Sequence, residues 1–274
     1  MKIKPIKHLG QNFLIDKNII KKIIKAADLK PRDIVLEIGP GLGALTEELA
    51  KKVKKVIAVE KDRRMYRALK ENLKDFNNLE IINEDILKLN LTGIGIGLVY
   101  PKPAGDRLSL SQYKIAANLP FYITAPVIRK FLETKNPPRE MVLIVQKEVA
   151  QRICARLPKM NILAVSVQFY AKPKIISYVS KKSFYPRPKV DAAIIKIKTK
   201  SEKRKTKKTN ADKFFRVVKA GFSHPRKQLI NNLSKELKIE KQKIATRLGR
   251  INIKPSQRAE TLSVNNWLDL LKVL

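Results

Sequence analysis

Acid and glycine are grouped in Glu37-Ile38-Gly39-Pro40-Gly41-Leu42-Gly43, where one carboxyl precedes three closely spaced glycines. Glycines so placed let a backbone turn approach a ligand. The spacing departs from the dinucleotide fingerprint, which sets its third glycine three residues beyond the second; here Gly43 follows Gly41 by two. Together with the preceding Glu37, that argues against a pyrophosphate and for a cofactor bearing an ammonium and a ribose, such as S-adenosylmethionine. Two further acids follow short apolar runs. Glu60 is placed to accept from both ribose hydroxyls, and Asp85 from the exocyclic amine of a cofactor adenine that Ile86 covers. Each acid alone reads as a solvated turn residue. Three at successive strand ends read as a methyl-donor site.

Asn118-Leu119-Pro120-Phe121 suits a different task. The N6 amine of adenine is a poor nucleophile because its lone pair is conjugated into the ring. The Asn118 side-chain oxygen and the Leu119 carbonyl could accept its two hydrogens and draw the nitrogen toward tetrahedral geometry. Pro120 stiffens the turn and Phe121 offers a face for a flipped base. A loop ahead of a core aromatic would have the same sequence, so this turn gains its meaning from its neighbours.

These residues need a scaffold that ends each strand beside the others. Ile34–Ile38, Val56–Val59, Leu79–Ile82, Tyr113–Ala117 and Met141–Val145 are short β-branched or apolar runs. They alternate with helical spacing over 16–29, 44–54, 63–76 and 125–134. The pattern predicts an α/β fold with a parallel, Rossmann-like doubly wound sheet, whose ligands collect outside the carboxyl ends of the strands. Ile162–Tyr170, Lys174–Val179 and Asp191–Ile197 are apolar runs without intervening helices, and predict antiparallel strands that finish the sheet. Lys196–Lys208 reads as an exposed basic linker, and beyond it the apolar spacing predicts short amphipathic helices. The expected domains are residues 1–199, carrying the methyl-donor site, and 200–274, a basic linker with a small helical domain.

The 274 residues hold 59 Lys and Arg against 24 Asp and Glu, a net charge of +35, which calls for a polyanionic partner. Residues 196–274 carry 22 of the basic residues and 6 of the acids, so the denser phosphate-binding surface is expected there. No run approaches the roughly 20 apolar residues of a membrane span. One cysteine, Cys154, and two histidines, His8 and His224, predict no disulfide and no metal. The expectation is a cytoplasmic protein without membrane association.

Several stretches together resemble the small-subunit (16S) rRNA adenine N6,N6-dimethyltransferases, the KsgA family. They are His8–Leu14, Glu37–Gly43, Asn118–Phe121, Gln146–Arg152, Phe184–Asp191, Ala220–Leu229 and Arg258–Ser263. The resemblance covers nearly the whole chain. It implies a class I methyltransferase that moves methyl groups from S-adenosylmethionine to two adjacent adenosines in a hairpin loop near the 3′ end of small-subunit rRNA, acting as a monomer on the immature subunit. By motif match, Asn12, Leu14, Gly39, Glu60, Asp85 and Asn118 line the cofactor site, with Gly41 and Ile86 beside them. Gln11 begins an arm that closes over the cofactor or simply caps the first helix. Asn118, Leu119 and Phe121 hold the target adenine, with Pro120 between them, while Arg226, Lys227 and Arg258 fall in the C-terminal motifs as RNA contacts. Phe121 stands where the family often has Tyr, and Ala192 where it commonly has Ser. Residues 91–112 look like an insertion near the active edge.

Two other readings remain open from the sequence. Large-subunit rRNA adenine methyltransferases of the erythromycin-resistance kind share the sheet and a variant of the Asn118 turn, from which Leu119 and the arginine-bearing C-terminal motif differ. Mitochondrial transcription factors use the same fold to bind nucleic acid without methyl transfer; intact Gly39–Gly43, Glu60, Asp85 and Asn118 speak against that.

Overall fold

The computed structural model describes residues 5–6, 9–90, 113–200 and 208–274. Residues 91–112, His8 and most of the basic run before Lys208 lie outside them. The described residues up to Ala150, with Pro173–Thr199, form one compact unit, and Gln151–Lys172 with Lys200–Leu274 form another.

The first unit opens with β1 (Phe13–Leu14) and α1 (Lys17–Ala26), the helix capped by the Asp16 side chain, which accepts from the Asn18 N–H. Then come β2 (Ile34–Ile38), α2 (Ala44–Ala50), β3 (Lys55–Glu60), α3 (Arg63–Asn72) and β4 (Leu79–Asn83). These are followed by β5 (Lys114–Asn118), α4 (Thr124–Glu133), β6 (Glu140–Gln146) and α5 (Lys147–Ile153). After α6 (Ile162–Tyr170), the strands β7 (Ala171–Val179), β8 (Phe184–Tyr185) and β9 (Ala192–Thr199) complete the set.

The main sheet runs β4-β3-β2-β5-β6-β9-β7, and β1 pairs antiparallel with β8 beside it. Strands β2 to β6 are mutually parallel, and β9 returns antiparallel along β6, with Gln146 opposite Ala192. The order reverses between β2 and β5, which makes the carboxyl ends of these two strands the switch point where a ligand crevice opens. On one face, Ile19, Ile20 and Ile23 of α1 and Leu45 and Leu49 of α2 pack on Val35, Ala116, Val142 and Ile194. The alternate residues Leu36, Ile57, Ile115 and Leu143 are buried too. Both faces are covered, as a parallel sheet requires.

Three expectations change. Ile162–Tyr170 is the helix α6, not a strand: Val165-Ser166-Val167-Gln168-Phe169 alternates apolar and polar residues as a strand does, and the segment is too short for the helical period to stand out. The Asn161 side chain, accepting from the Ala164 N–H, starts the helix. Residues 151–172 also belong with the second unit rather than with residues 1–150, since Met160, Ala164, Val165 and Phe169 pack into the second core. In addition, the first residues of the expected linker, 196–199, are the end of β9.

In the second unit, α7 (Lys208–Gly221), α8 (Leu229–Leu237), α9 (Lys241–Gly249) and α10 (Val264–Val273) surround Phe214, Leu233, Ile244, Leu248 and the fully buried Trp267. Among the described residues no helix is long and apolar enough to cross a membrane.

Candidate functional site

A cavity of about 260 Å³ opens at the carboxyl ends of β2, β3, β4 and β5. Its wall includes the glycine turn, the ends of the next two strands, the Asn118–Ile123 turn and the segment Leu9–Leu14. All of Gln11, Asn12, Leu14, Gly39, Gly41, Glu60, Asp85, Ile86, Asn118, Leu119, Pro120 and Phe121 line it. They come from five separate stretches of chain, brought together by strand register.

The glycine turn owes its shape to close packing. Gly41 has φ of +59°, and a Cβ there would stand 3.0 Å from the Phe13 ring. Gly43, with φ of +87°, precedes α2, and a Cβ on it would meet Leu69 at 2.8 Å and Leu73 at 3.0 Å. Any side chain at either position would strain the backbone and push α3 or the N-terminal segment away from the turn.

Four acids surround the turn, each in a different state. Glu37 is 1% exposed and its Oε2 has no hydrogen-bond partner among the described residues. Burial pushes its carboxyl up to about 8; the Thr46 hydroxyl opposes the shift and the charge of Glu60 adds to it. Glu60 accepts from the Asp62 N–H at 2.8 Å through Oε1 and from the Gly41 N–H at 3.2 Å through Oε2, so each oxygen keeps one lone pair for a further donor. Burial raises its pKa, against those backbone donors. Asp62 caps α3 and lies beside the Arg64 guanidinium, which holds its carboxyl down at about 2. Asp85 accepts from the Leu87 N–H at 2.9 Å and pairs with Lys61 Nζ at 3.0 Å. Burial would raise its pKa, but the Leu87 donor and the Lys61 charge outweigh it and the net direction is down. These groups fit S-adenosylmethionine: a buried carboxyl with an unmatched oxygen suits an ammonium, and half-used carboxylates suit hydroxyl and amine donors.

The N-terminal segment is fastened at two points. Gln11 accepts from the Ile6 N–H at 2.7 Å and donates to Asp62 Oδ2 at 2.9 Å, which ties it to the helix that follows Glu60. Asn118 Nδ2 donates to the Asn12 carbonyl at 2.8 Å. The helix α1 takes its cap from Asp16, so the Gln11–Leu14 stretch is not that cap. The Asn118 amide is thereby turned so that Oδ1, which accepts no hydrogen bond among the described residues, is left for a ligand donor. The Leu119 side chain is buried beneath the turn, which Ile123 N–H closes on the Pro120 carbonyl at 3.1 Å.

Lys61, Glu84 and Tyr122 line the cavity without being singled out by the sequence, and Asp62, the partner of Gln11, stands outside its lining. The signal for Asp62 was an acid two residues past Glu60 and at the start of a helical period, an N-cap pattern. Arg226, Lys227 and Arg258 lie in the second unit and are not among the lining residues. They are brought together by the Leu229 N–H, which donates to the Gln257 carbonyl at 2.7 Å, and all three are exposed. Buried Asn232 fixes the first of the two turns by donating to the Gly221 and His224 carbonyls.

A family model described as ribosomal RNA adenine dimethylase matches residues 4–274. The ribosomal RNA small subunit methyltransferase A of Dehalococcoides mccartyi is 45% identical over 261 residues, 95% of this chain and 85% of that protein. Among solved structures, a dimethyladenosine transferase from Plasmodium falciparum is 29% identical, with a TM-score of 0.76 over 94% of this chain and 95% of that one. The 23S rRNA methyltransferase ErmE has the same fold, with a TM-score of 0.74 at 24% identity over 96% and 99% of the two chains. The cavity of buried acids and glycines, the Asn118 turn and these similarities converge: the chain belongs to the ribosomal RNA adenine dimethylase family of S-adenosylmethionine-dependent methyltransferases.

Proposed function

We propose that this enzyme dimethylates N6 of two adjacent adenosines in a hairpin loop near the 3′ end of small-subunit rRNA, as a cytoplasmic monomer acting on the immature small subunit. The observation that carries the reading is the orientation of the Asn118 amide, held by the Asn12 carbonyl with Oδ1 unengaged at the cavity. The small-subunit assignment draws on the name of the Dehalococcoides relative, which is closer in sequence than ErmE.

Glu37 would face the ammonium of S-adenosylmethionine, Glu60 its ribose, and Asp85 with Ile86 its adenine. Bound there, the cofactor supplies an electrophilic methyl carbon to the N6 lone pair. The protein's part is to hold that lone pair in place. Asn118 Oδ1 and the Leu119 carbonyl accept the two amine hydrogens, and Phe121 provides a face for the ring. No side-chain base is needed, because the methylated amine passes its extra proton to water. In the second unit, exposed Arg226, Lys227 and Arg258 would meet RNA phosphates.

Asn118→Ala tests the reading. Single-turnover methylation of unmethylated small subunits at saturating cofactor should fall on the order of a hundredfold or more, because the lost acceptor acts on the transition state. A rate within about threefold of the parent, or methylation of large rather than small subunits by the parent, would overturn it.

A further inference from the structure

We infer that Tyr122 forms a second nucleobase subsite, which takes the base adjoining the adenine held by Asn118. This inference rests on the RNA-methylation reading and adds to it a recognition site for the neighbouring nucleotide.

Phe121 and Tyr122 are consecutive in the short turn after Asn118, yet they meet different surroundings. Phe121 is half-buried and packs against the core of the sheet domain. Tyr122 is 55% exposed and lines the same cavity at its rim. Its hydroxyl makes no hydrogen bond among the described residues, so the ring is not there to anchor its own polar end.

What fixes the ring is Gly10. A Cβ on Gly10 would stand 3.1 Å from Tyr122 Cδ1 and 3.2 Å from Cε1, and Gly10 has φ of +60°. The N-terminal arm therefore packs its one bare backbone position against an edge of the ring and leaves more than half of the residue open to solvent. An aromatic group held at one edge and uncovered elsewhere has little conformational freedom left to lose when a base stacks on it. Lys61 also lines the cavity and, though paired with Asp85 at 3.0 Å, is exposed, which leaves donors on the rim where a nucleotide next to an inserted base would bring its phosphates.

Base insertion gives such a subsite a use. Drawing an adenine into the cavity unstacks it from its neighbour, and an aromatic surface at the rim restores a stacking partner to the base left behind. With two adjacent target adenosines, a ring on one side of the cavity meets the second adenosine when the other is the one inserted.

The test uses the full-length enzyme and unmethylated small ribosomal subunits that carry either adenosine or the weakly stacking uridine beside the target adenosine. With the adenosine-bearing subunits, Tyr122→Ala should raise KM about tenfold, Tyr122→Phe should leave it at the parental value, and cofactor affinity by calorimetry should not change. The uridine-bearing subunits should raise the parental KM but barely that of Tyr122→Ala, because the two changes remove the same stack. Parental KM for Tyr122→Ala, or losses that simply multiply, would overturn the subsite. So would a KM rise that follows lost cofactor affinity, since the ring would then only prop the arm. A parent enzyme unable to methylate the adenosine-bearing subunits would refute the methylation reading itself, and this inference with it.

Discussion

The two ends of the central sheet both bury acids, and they treat them in opposite ways. At the amino ends, Asp33 lies just before β2 and Glu140 begins β6, and both are matched by lysines. Lys114 Nζ is 3.0 Å from Asp33 Oδ2 and 3.3 Å from Glu140 Oε1, and Lys196 Nζ is 2.9 Å from Glu140 Oε2. The lysines also donate to the carbonyls of Ala26, Ala27 and Asp28, the last residues of the α1 region. At the carboxyl ends, Glu37 and Glu60 are also buried, but among the described residues no cation pairs with either; Glu37 Oε2, like Glu140 Oε1, lacks a hydrogen bond, but only Glu140 has a lysine beside it. A buried acid with its own lysine is part of the fold. One without a cation is a demand the protein leaves for a ligand to meet.

That contrast is broken most sharply at Lys114. Lys114→Met should strand Asp33 and half of the Glu140 pairing inside the protein, and removing one partner of a buried ion pair destabilises by about 3–5 kcal/mol. Urea denaturation should register the loss, while cofactor affinity of the folded fraction stays parental because the cavity is at the other end of the strands. Stability within about 1 kcal/mol of the parent would show that the lysine contributes little to holding the sheet. The two ends would then differ less than their geometry implies.

The sequence made the carboxyl end legible and the amino end opaque, for a physical reason. Glu37, Glu60, Asp85 and Asn118 each lie within two residues of a strand end, and strand ends can be recognised one at a time from apolar runs, helped after Glu37 and Asn118 by glycine or proline. The Lys114 cluster depends on pairing across strands: Lys114 stands opposite both Val35 and Glu140, while Lys196 stands opposite Val142, one diagonal step from Glu140. Read along the chain, these are charged residues at strand boundaries, indistinguishable from solvated ones. Ile162–Tyr170 reads as a strand because Ser166 and Gln168 alternate with apolar residues, and the Gln11–Asp62 tie is invisible along the chain because its partners are 51 residues apart.

Glu37 offers a second way to sharpen the comparison, through pH. In the folded protein its carboxyl is raised to about 8 from an ordinary 4.5, so the folded state holds this proton more tightly than the unfolded chain. Its contribution to stability is therefore greatest below about 4.5 and declines as pH rises through the window up to 8, by roughly 1.4 kcal/mol per pH unit, or about 3 kcal/mol by pH 7. Glu37→Gln has no such proton, and its denaturation midpoint should fall less between pH 5 and 7 than the parent's. An ammonium bound against Glu37 would favour the ionised carboxylate, so cofactor binding near neutral pH should also release a proton, measurable by calorimetry in buffers of different ionisation enthalpy. Identical pH slopes for parent and variant would mean that Glu37 is ionised in the free protein and already satisfied.

The smallest effect expected is at Glu60, where the demand is only half unmet. Its oxygens already accept from the Gly41 and Asp62 N–H groups, and the ligand would use what remains. Glu60→Ala should weaken S-adenosylmethionine binding by roughly 1–3 kcal/mol, the scale of charge-assisted hydrogen bonds. Because that variant also takes acceptors from two backbone donors, Glu60→Gln is the necessary companion. It keeps one acceptor oxygen and nearly the same shape but has no charge. If the carboxylate contacts ribose, Glu60→Gln should bind the cofactor less tightly than the parent and more tightly than Glu60→Ala, with thermal stability between the two, because one backbone N–H then faces an amide NH2. If Glu60 only braces the glycine turn, cofactor affinity in both variants should fall in proportion to lost stability. A Glu60→Gln protein with parental affinity would remove the ribose role altogether.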